Sequence, residues 1–117
     1  RYSKQYDLAI KDYSKAIELA SRPIDFEFRA LAYSAIGQHD LALADCQKAV
    51  KLAPKDDAYP WVIMARVLVA TGKLQAAVAT YQTALQVDPT EDAAAKGLAN
   101  LLAKLKSNWT TAAPTCQ

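Results

Sequence analysis

The residue types that support catalysis are sparse in this 117-residue chain, and their spacing forms no arrangement that could perform a reaction. The single histidine, His39, lies at a predicted helix start, and the spacing brings no serine, cysteine or carboxylate to it. Cys46 lies inside a predicted helix. The adjacent carboxylates Asp56 and Asp57 could perform acid-base chemistry or bind a metal, but they fall in a predicted turn, where helix capping and solvent account for them. These residues therefore predict no catalytic site.

The composition argues against several classes of activity and partner, and it indicates the redox state of the compartment. The chain has no glycine-rich phosphate loop, Cys/His cluster or nucleophile elbow, so we predict no enzyme, no bound metal and no cofactor. Its 14 basic and 12 acidic residues are interspersed, which argues against nucleic acid and membrane surfaces as partners. The 2 cysteines form no disulfide framework, and this usage is typical of a reducing compartment such as the cytoplasm.

The helices that carry these residues repeat along the chain. Segments that begin at Tyr6, His39 and Leu74 share the pattern A-x3-[YC]-x2-A, in which Cys46 takes the position of a tyrosine. The first alanine of the pattern recurs at intervals of 33 and 35 residues, at Ala9, Ala42 and Ala77. A period of about 34 residues indicates an array of helix-turn-helix units. In such an array the alanines let two helices cross closely, and Cys46 is a small buried hydrophobe.

The period and its framework residues resemble the tetratricopeptide repeat family. The later copies are followed by proline, at Pro54 and Pro89. The upstream halves match the family pattern W-x2-L-G-x2-Y in two places, Phe26-x2-Arg29-Ala30-x2-Tyr33 and Trp61-x2-Met64-Ala65-x2-Leu68. Only Arg29 departs from the size class of its position. The resemblance implies an all-α fold, a right-handed superhelix of antiparallel helix pairs with about six helices.

The repeat register also sets the predicted domain boundaries. We predict helices at about 4–20, 23–37, 40–53, 58–71, 74–87 and 91–106. They form one domain over 1–106, in which 1–22 is the second helix of a truncated repeat, 23–57 and 58–90 are full repeats, and 91–106 is a terminal capping helix. Periodicity is lost after this helix, so 107–117 is predicted to be a flexible tail.

The predicted helix ends carry residues suited to turns and caps. Gly37 and Gly72 fall at the ends of first helices, where a left-handed conformation is needed. Pro23 is placed in the first turn of its helix, and Asp57 and Thr90 are placed to cap the helices that follow them. These positions agree with the repeat register.

In the family that the chain resembles, the first helix of each pair lines a concave groove that binds an extended peptide or a partner helix. Helical spacing predicts which side chains face that groove here. They are Ile24, Glu27, Phe28, Leu31, Tyr59, Val62, Ile63, Arg66, Val69, Lys96 and Asn100. We expect an apolar wall with Arg66 at its edge, suited to an apolar or amphipathic segment.

The segments ADCQKAV and RALAYSAIG are similar to the co-chaperone branch of the family, most closely to the small glutamine-rich tetratricopeptide proteins. This resemblance implies a clamp of lysines, asparagines and an arginine that grips the C-terminal carboxylate of heat-shock chaperones. The clamp asparagine falls at Phe28 here, and a lysine and the arginine fall at Tyr59 and Ile63. A carboxylate against these side chains would lose its water without gaining a charged donor. The other two clamp positions belong to a helix upstream of residue 1.

The sequence therefore predicts a non-catalytic scaffold or adaptor that binds a protein or peptide partner, chaperone-related by resemblance, in its groove. Two alternatives stay open. One is a co-chaperone adaptor that recognises acidic chaperone C-termini through clamp residues upstream, and the other is a targeting or regulatory domain of a larger enzyme. Self-association through the exposed repeat edge also stays open.

Overall fold

The computed structural model describes residues 4–112, and this part of the chain contains helices and no strands. Six helices follow one another: α1 Lys4–Leu19, α2 Pro23–Ala35, α3 His39–Leu52, α4 Tyr59–Ala70, α5 Leu74–Val87 and α6 Asp92–Ala112. Their number and order confirm the all-α prediction, and the first five match the predicted ranges to within a few residues. In the described part of the chain, no helix combines the length and apolar character needed to cross a membrane.

Two glycines end the first helix of each full pair. Gly37 has a φ of 81° and Gly72 a φ of 82°, a conformation that a residue without a Cβ adopts at no steric cost. The N–H groups of Gly37 and Gln38 donate to the carbonyls of Ser34 and Tyr33, at 3.1 and 2.9 Å, and the same two bonds recur after α4. These bonds satisfy the last carbonyls of each helix and turn the chain back. The two predicted turns are confirmed.

The helix starts agree with the sequence at one of the three predicted positions, since Pro23 is the first residue of α2. The N-cap of α4 is Ala58 and not Asp57, although the carboxylate of Asp57 accepts a hydrogen bond from the Tyr59 N–H at 3.0 Å. The cap predicted at Thr90 is wrong, because Thr90 donates its N–H and its hydroxyl to Asp88, at 3.0 and 2.6 Å. These two hydrogen bonds stabilise the ionised carboxylate, and they therefore lower the pKa of Asp88.

The last helix is longer than the sequence indicates. α6 continues beyond Lys106 to Ala112, so the helix includes residues 107–112, which the sequence placed in a flexible tail. None of these residues is a proline or glycine, and Pro114 is the first helix breaker after Gly97. Residues 113–117, the rest of the predicted tail, lie outside the described part of the chain.

The six helices form two layers. α2 contacts α4 and α4 contacts α6, whereas α1, α3 and α5 make no contacts with one another in the described residues. α3 and α5 each pack against the inner helices that precede and follow them in the chain, and α1 packs against α2. Because the inner helices approach one another and the outer helices do not, the stack curves around α2, α4 and α6. Their open surface is called the inner face below.

Small residues occupy the crossings between the two layers. The second-helix alanines of both full repeats have no exposed surface: Ala42, Ala49, Ala77 and Ala84. Cys46 and Tyr81, which share one repeat position, are 0% and 5% exposed. A methyl group at a crossing allows close backbone approach, and the larger side chain fills the adjacent space. α1 contains no buried residue.

Candidate partner-binding groove

The inner face carries the side chains that the sequence predicted to meet a partner, but their exposure differs widely. On α2, Ile24 is 45% exposed and Phe28 38% exposed. On α4 and α6 the exposed members of the set are polar or charged: Arg66, Lys96 and Asn100. Three more are half-buried: Leu31, Tyr59 and Val69. The exposed part of the inner face is therefore apolar on α2 and basic on α4 and α6.

The prediction was wrong about the exposure of three groove residues. Glu27 is 5% exposed, Val62 1% and Ile63 0%. Ile63 belongs to a core cluster with Ala30 and Cys46, which joins α2, α3 and α4. Side chains at the edges of a wide helical stripe pack into the contacts between neighbouring helices. Ile63 and Glu27 therefore cannot form an exposed wall, whereas Val62 contributes to the pocket described below.

Part of the predicted apolar wall already has a partner within the chain. The rings of Phe28 and Tyr13 lie 5.7 Å apart and are tilted by 33°, a favourable arrangement for two aromatic side chains. Leu31 and Tyr59 pack against the core cluster around Ile63. The apolar surface left for a partner at α2 is accordingly smaller than the spacing alone predicts, and its most exposed member is Ile24.

Five of the predicted residues line one cavity between α4 and α6, with a volume of about 430 Å³. They are Val62, Arg66, Val69, Lys96 and Asn100. The other five lining residues come from α5 and α6: Tyr81, Ala93, Gly97, Leu101 and Lys104. We call this cavity the α4–α6 pocket. Spacing predicted the residues of α4 and two of α6, while Lys104 was missed because the predicted groove stopped at Asn100.

The α4–α6 pocket is basic at its rim and apolar inside. Its lining includes Arg66, Lys96 and Lys104 and contains no acidic residue. Lys96 has a partner one turn earlier, since its Nζ lies 3.1 Å from a carboxylate oxygen of Asp92. Burial raises the pKa of the Tyr81 phenol, and the nearby charge of Arg66 opposes this shift. Positive charge therefore gathers at the rim, while the floor is shielded from water.

The most tightly bonded charged group lies between the layers. The Arg29 guanidinium donates two hydrogen bonds to the Asp45 carboxylate, both at 2.7 Å, and a third to the Ser14 hydroxyl at 3.0 Å. It also lies over the rings of Phe26 and Tyr33, at 5.7 and 5.5 Å from their centroids. The sequence signal was the arginine itself, which departs from the expected size class. Arg29 connects α1, α2 and α3 through Ser14 and Asp45, and the sequence assigned no role to Asp45.

The thiol of Cys46 lies in the core of the helical stack. Burial, with smaller contributions from Asp45 and Glu27, raises the pKa of the Cys46 thiol to about 12, so the reactive thiolate is scarce at neutral pH. Within residues 4–112, no group of three or more His, Cys, Asp or Glu side chains is placed to hold a metal ion. Cys46 is a packing residue in this structure.

Comparison with known proteins agrees with the two-layered array of helix pairs. A tetratricopeptide repeat model matches residues 33–105, and a second tetratricopeptide repeat model matches residues 1–23. The chain belongs to the tetratricopeptide repeat family. The repeat interpretation of the sequence is therefore confirmed, and the fold is a tetratricopeptide repeat (TPR) solenoid.

Relatives of this TPR domain include co-chaperone-type proteins. The chain is 41% identical over 108 residues to small glutamine-rich tetratricopeptide repeat-containing protein 2 of Mycosarcoma maydis, covering 91% of this chain and 30% of that protein. The Sgt2 TPR domain of Aspergillus fumigatus superposes with a TM-score of 0.80 at 27% identity, covering 97% of this chain and 77% of that one. The first TPR domain of Spaghetti (RPAP3), bound to the HSP90 peptide SRMEEVD, has a TM-score of 0.72 at 26% identity, covering 87% and 81%. The chain thus spans under a third of its curated relative.

These similarities are to tetratricopeptide repeat domains, one of which was solved with an HSP90 peptide bound. The positions that the clamp resemblance assigned to an asparagine, a lysine and an arginine hold Phe28, Tyr59 and Ile63. None of these is a cation, and Ile63 is fully buried. The cations of the inner face lie instead at the α4–α6 pocket.

Glu27 makes the stability of the TPR domain sensitive to pH. Burial, with a smaller contribution from Asp57, raises the pKa of Glu27 to about 7. Because this value lies above that of an unfolded glutamate, the contribution stabilises the fold at low pH and is lost as the pH rises through about 7. Glu27→Gln should therefore raise the free energy of unfolding by about 1–2 kcal/mol at pH 8, after allowing for solvent screening.

The Glu27 prediction is measured by urea unfolding followed by circular dichroism at pH 5 and pH 8. The gain from Glu27→Gln should shrink at pH 5, where Glu27 is largely neutral. Glu18→Gln, which changes an exposed glutamate of α1, is the matched control and should show no such pH-dependent gain. An equal effect of Glu27→Gln at both pH values would contradict the prediction.

Proposed function

We propose that this TPR domain is a non-catalytic adaptor that binds an amphipathic segment of a partner protein along its inner face. The observation that carries the proposal is the α4–α6 pocket, in which five predicted groove residues meet beside an apolar floor. The segment would place apolar side chains against Ile24 and Val69 and a polar edge beside Arg66. An apolar stripe with a charged border suits the helix-in-groove mode of peptide recognition.

The co-chaperone relatives support a partner connected with chaperones. The TPR domain of Spaghetti (RPAP3) was solved with an acidic chaperone peptide, and this chain shares its fold. A cytoplasmic partner fits this proposal, since Cys46 is a buried reduced thiol and the two charge signs are interspersed along the chain. The same balance makes nucleic acid and membrane surfaces poor partners.

A second candidate is recognition of the acidic C-termini of heat-shock chaperones. The basic rim of the α4–α6 pocket favours it, because an acidic peptide would meet positive charge there. The apolar and aromatic residues at the clamp positions argue against the usual arrangement of that contact. The two candidates differ in whether apolar burial or the terminal carboxylate dominates the affinity.

Titration of two labelled peptides by fluorescence anisotropy tests the proposal. One is an amphipathic helix with leucines at i, i+3, i+4 and i+7 and glutamates beside them, and the other is SRMEEVD. We expect the amphipathic helix to bind and Ile24→Glu to weaken it about tenfold or more, because the charge would be desolvated at the contact. Gln82→Glu, on an exposed position of the outer helix α5, should leave the affinity unchanged.

The peptide titration has two outcomes that count against the proposal. Equal affinity of wild type, Ile24→Glu and Gln82→Glu for the amphipathic helix would exclude the inner face as the binding surface. Binding of SRMEEVD alone would support the second candidate and contradict the amphipathic segment.

A further inference from the structure

We infer that the α4–α6 pocket selects an acidic side chain that lies beside an apolar one in the bound segment, with the carboxylate between Arg66 and Lys104. The inference rests on the proposed function and specifies the chemistry of its ligand. The occupant is an internal acidic residue of a partner segment, and a terminal carboxylate is not required. Four properties of the pocket carry this inference.

The first property is an unbalanced charge. Across the chain, 14 basic and 12 acidic residues nearly cancel, but the pocket lining has three cations and no anion. Like charges around one cavity repel each other when it is empty, and an anion placed among them removes that repulsion. The lining is therefore complementary to a negative group.

The second property is that two of these cations form no ion pair among residues 4–107, whose side chains the structure describes. Lys96 is held by Asp92 at 3.1 Å, on an exposed part of α6. Arg66 and Lys104 are in no ion pair within that range. A guanidinium can bind a carboxylate through two parallel N–H donors, which gives direction as well as strength. Arg66 and Lys104 are thus the groups free to hold the acid.

The third property is the apolar floor beside the charges. Val62 is 1% exposed and Leu101 4% exposed, and both line the pocket with half-buried Val69. A cavity of about 430 Å³ is large enough for an apolar side chain as well as a carboxylate. Excluding water from the floor strengthens the charge-assisted hydrogen bonds at the rim. The floor therefore favours an acid with an apolar neighbour over a free anion.

The fourth property is that α2 and α4 offer few other cations that could bind an acidic group on the inner face. α4 carries a single charged residue, Arg66. The only cation of α2, Arg29, is fully engaged with Asp45 and Ser14 between the layers. Phe28 and Tyr59 offer no cation at the positions that a terminal carboxylate would use by resemblance. Among the described residues of α2 and α4, Arg66 is therefore the cation left for an acidic group, and it lies at the α4–α6 pocket.

The inference is tested with the amphipathic glutamate helix and a copy in which glutamine replaces each glutamate. Arg66→Gln and Lys104→Gln should each weaken the glutamate helix about tenfold and leave the glutamine helix unchanged, because each removes a charge-assisted contact. Lys11→Gln, at an exposed position of α1, is the matched control and should change neither affinity. Circular dichroism checks that every variant keeps its helices. Raising the salt concentration should weaken only the glutamate helix.

The outcomes separate this inference from the proposed function. Loss of binding in Ile24→Glu with full affinity in Arg66→Gln and Lys104→Gln would leave the groove in place and overturn the acid site. Amidated SRMEEVD should bind as well as the free acid, and loss on amidation would show that the terminal carboxylate is the recognised group and overturn the inference. No binding of either helix to the wild-type domain would overturn both.

Discussion

Asp45→Ala should destabilise the domain by about 3–5 kcal/mol, because it leaves the Arg29 guanidinium partly buried and without its carboxylate. The side chains of Arg29 and Asp45 are 19% and 7% exposed, and they share two hydrogen bonds of 2.7 Å. In the native chain the Asp45 hydrogen bond and charge raise the pKa of Arg29, and burial opposes this shift. A guanidinium stays protonated in proteins even without such a partner, so in Asp45→Ala the group cannot escape the cost of burial by losing its proton. Urea unfolding followed by circular dichroism measures the loss.

Two further variants show whether the unpaired charge causes this effect. Arg29→Met combined with Asp45→Ala removes both charges, and it should recover much of the lost stability because a pair replaced by apolar groups is often neutral. Asp40→Ala removes an exposed carboxylate from the same helix α3 and should change the stability little. An equal loss in Asp45→Ala and the double variant would contradict the unpaired-charge explanation.

The features that sequence reasoning predicted are those that recur in each repeat. The pattern A-x3-[YC]-x2-A depends on a crossing geometry that is the same in both full pairs, so Ala42 and Ala77 are equally buried. Gly37 and Gly72 occupy the same turn with nearly the same φ. When the same packing or turn geometry recurs in every repeat, the same residue type recurs at that spacing. Such a feature can be found within a single sequence, without comparison to related proteins.

The features that the sequence did not predict occur at one position each and do not recur from repeat to repeat. Helical spacing gives the direction of a side chain but not the distance to the next helix, so it could not separate exposed Arg66 from buried Ile63 on α4. Thr90 has a side chain that can cap a helix. In the structure its N–H and its hydroxyl both donate to the carboxylate of Asp88 instead. The α4–α6 pocket likewise depends on the distance at which α6 approaches α5, and helical spacing in the sequence does not predict that distance.

That approach is made at Gly97, and Gly97→Ala is expected to destabilise the domain by about 1–3 kcal/mol. Helix propensity alone favours alanine inside α6 by about 1 kcal/mol. However, a Cβ at position 97 would lie 2.5 Å from Cε1 and Cζ of Tyr81 and 2.6 Å from its hydroxyl oxygen. Tyr81 is 5% exposed and belongs to the core cluster that joins α4, α5 and α6, so its ring can move aside only by disturbing that packing. Overpacking should therefore outweigh propensity and push α6 away from α5, which widens the α4–α6 pocket.

A double-mutant cycle with Tyr81→Leu separates the two contributions to the Gly97 result. Leucine lacks the ring atoms that the new methyl group would meet, and the sister repeat shows that this position accepts a smaller residue, Cys46. In the Tyr81→Leu background, Gly97→Ala should change sign and stabilise the domain by about 1 kcal/mol, the propensity gain alone. Ala95→Gly, at an exposed position of α6, calibrates that gain in the same helix. The same sign for Gly97→Ala in both backgrounds, measured as the free energy of unfolding in urea, would show that Tyr81 does not limit the approach of α6.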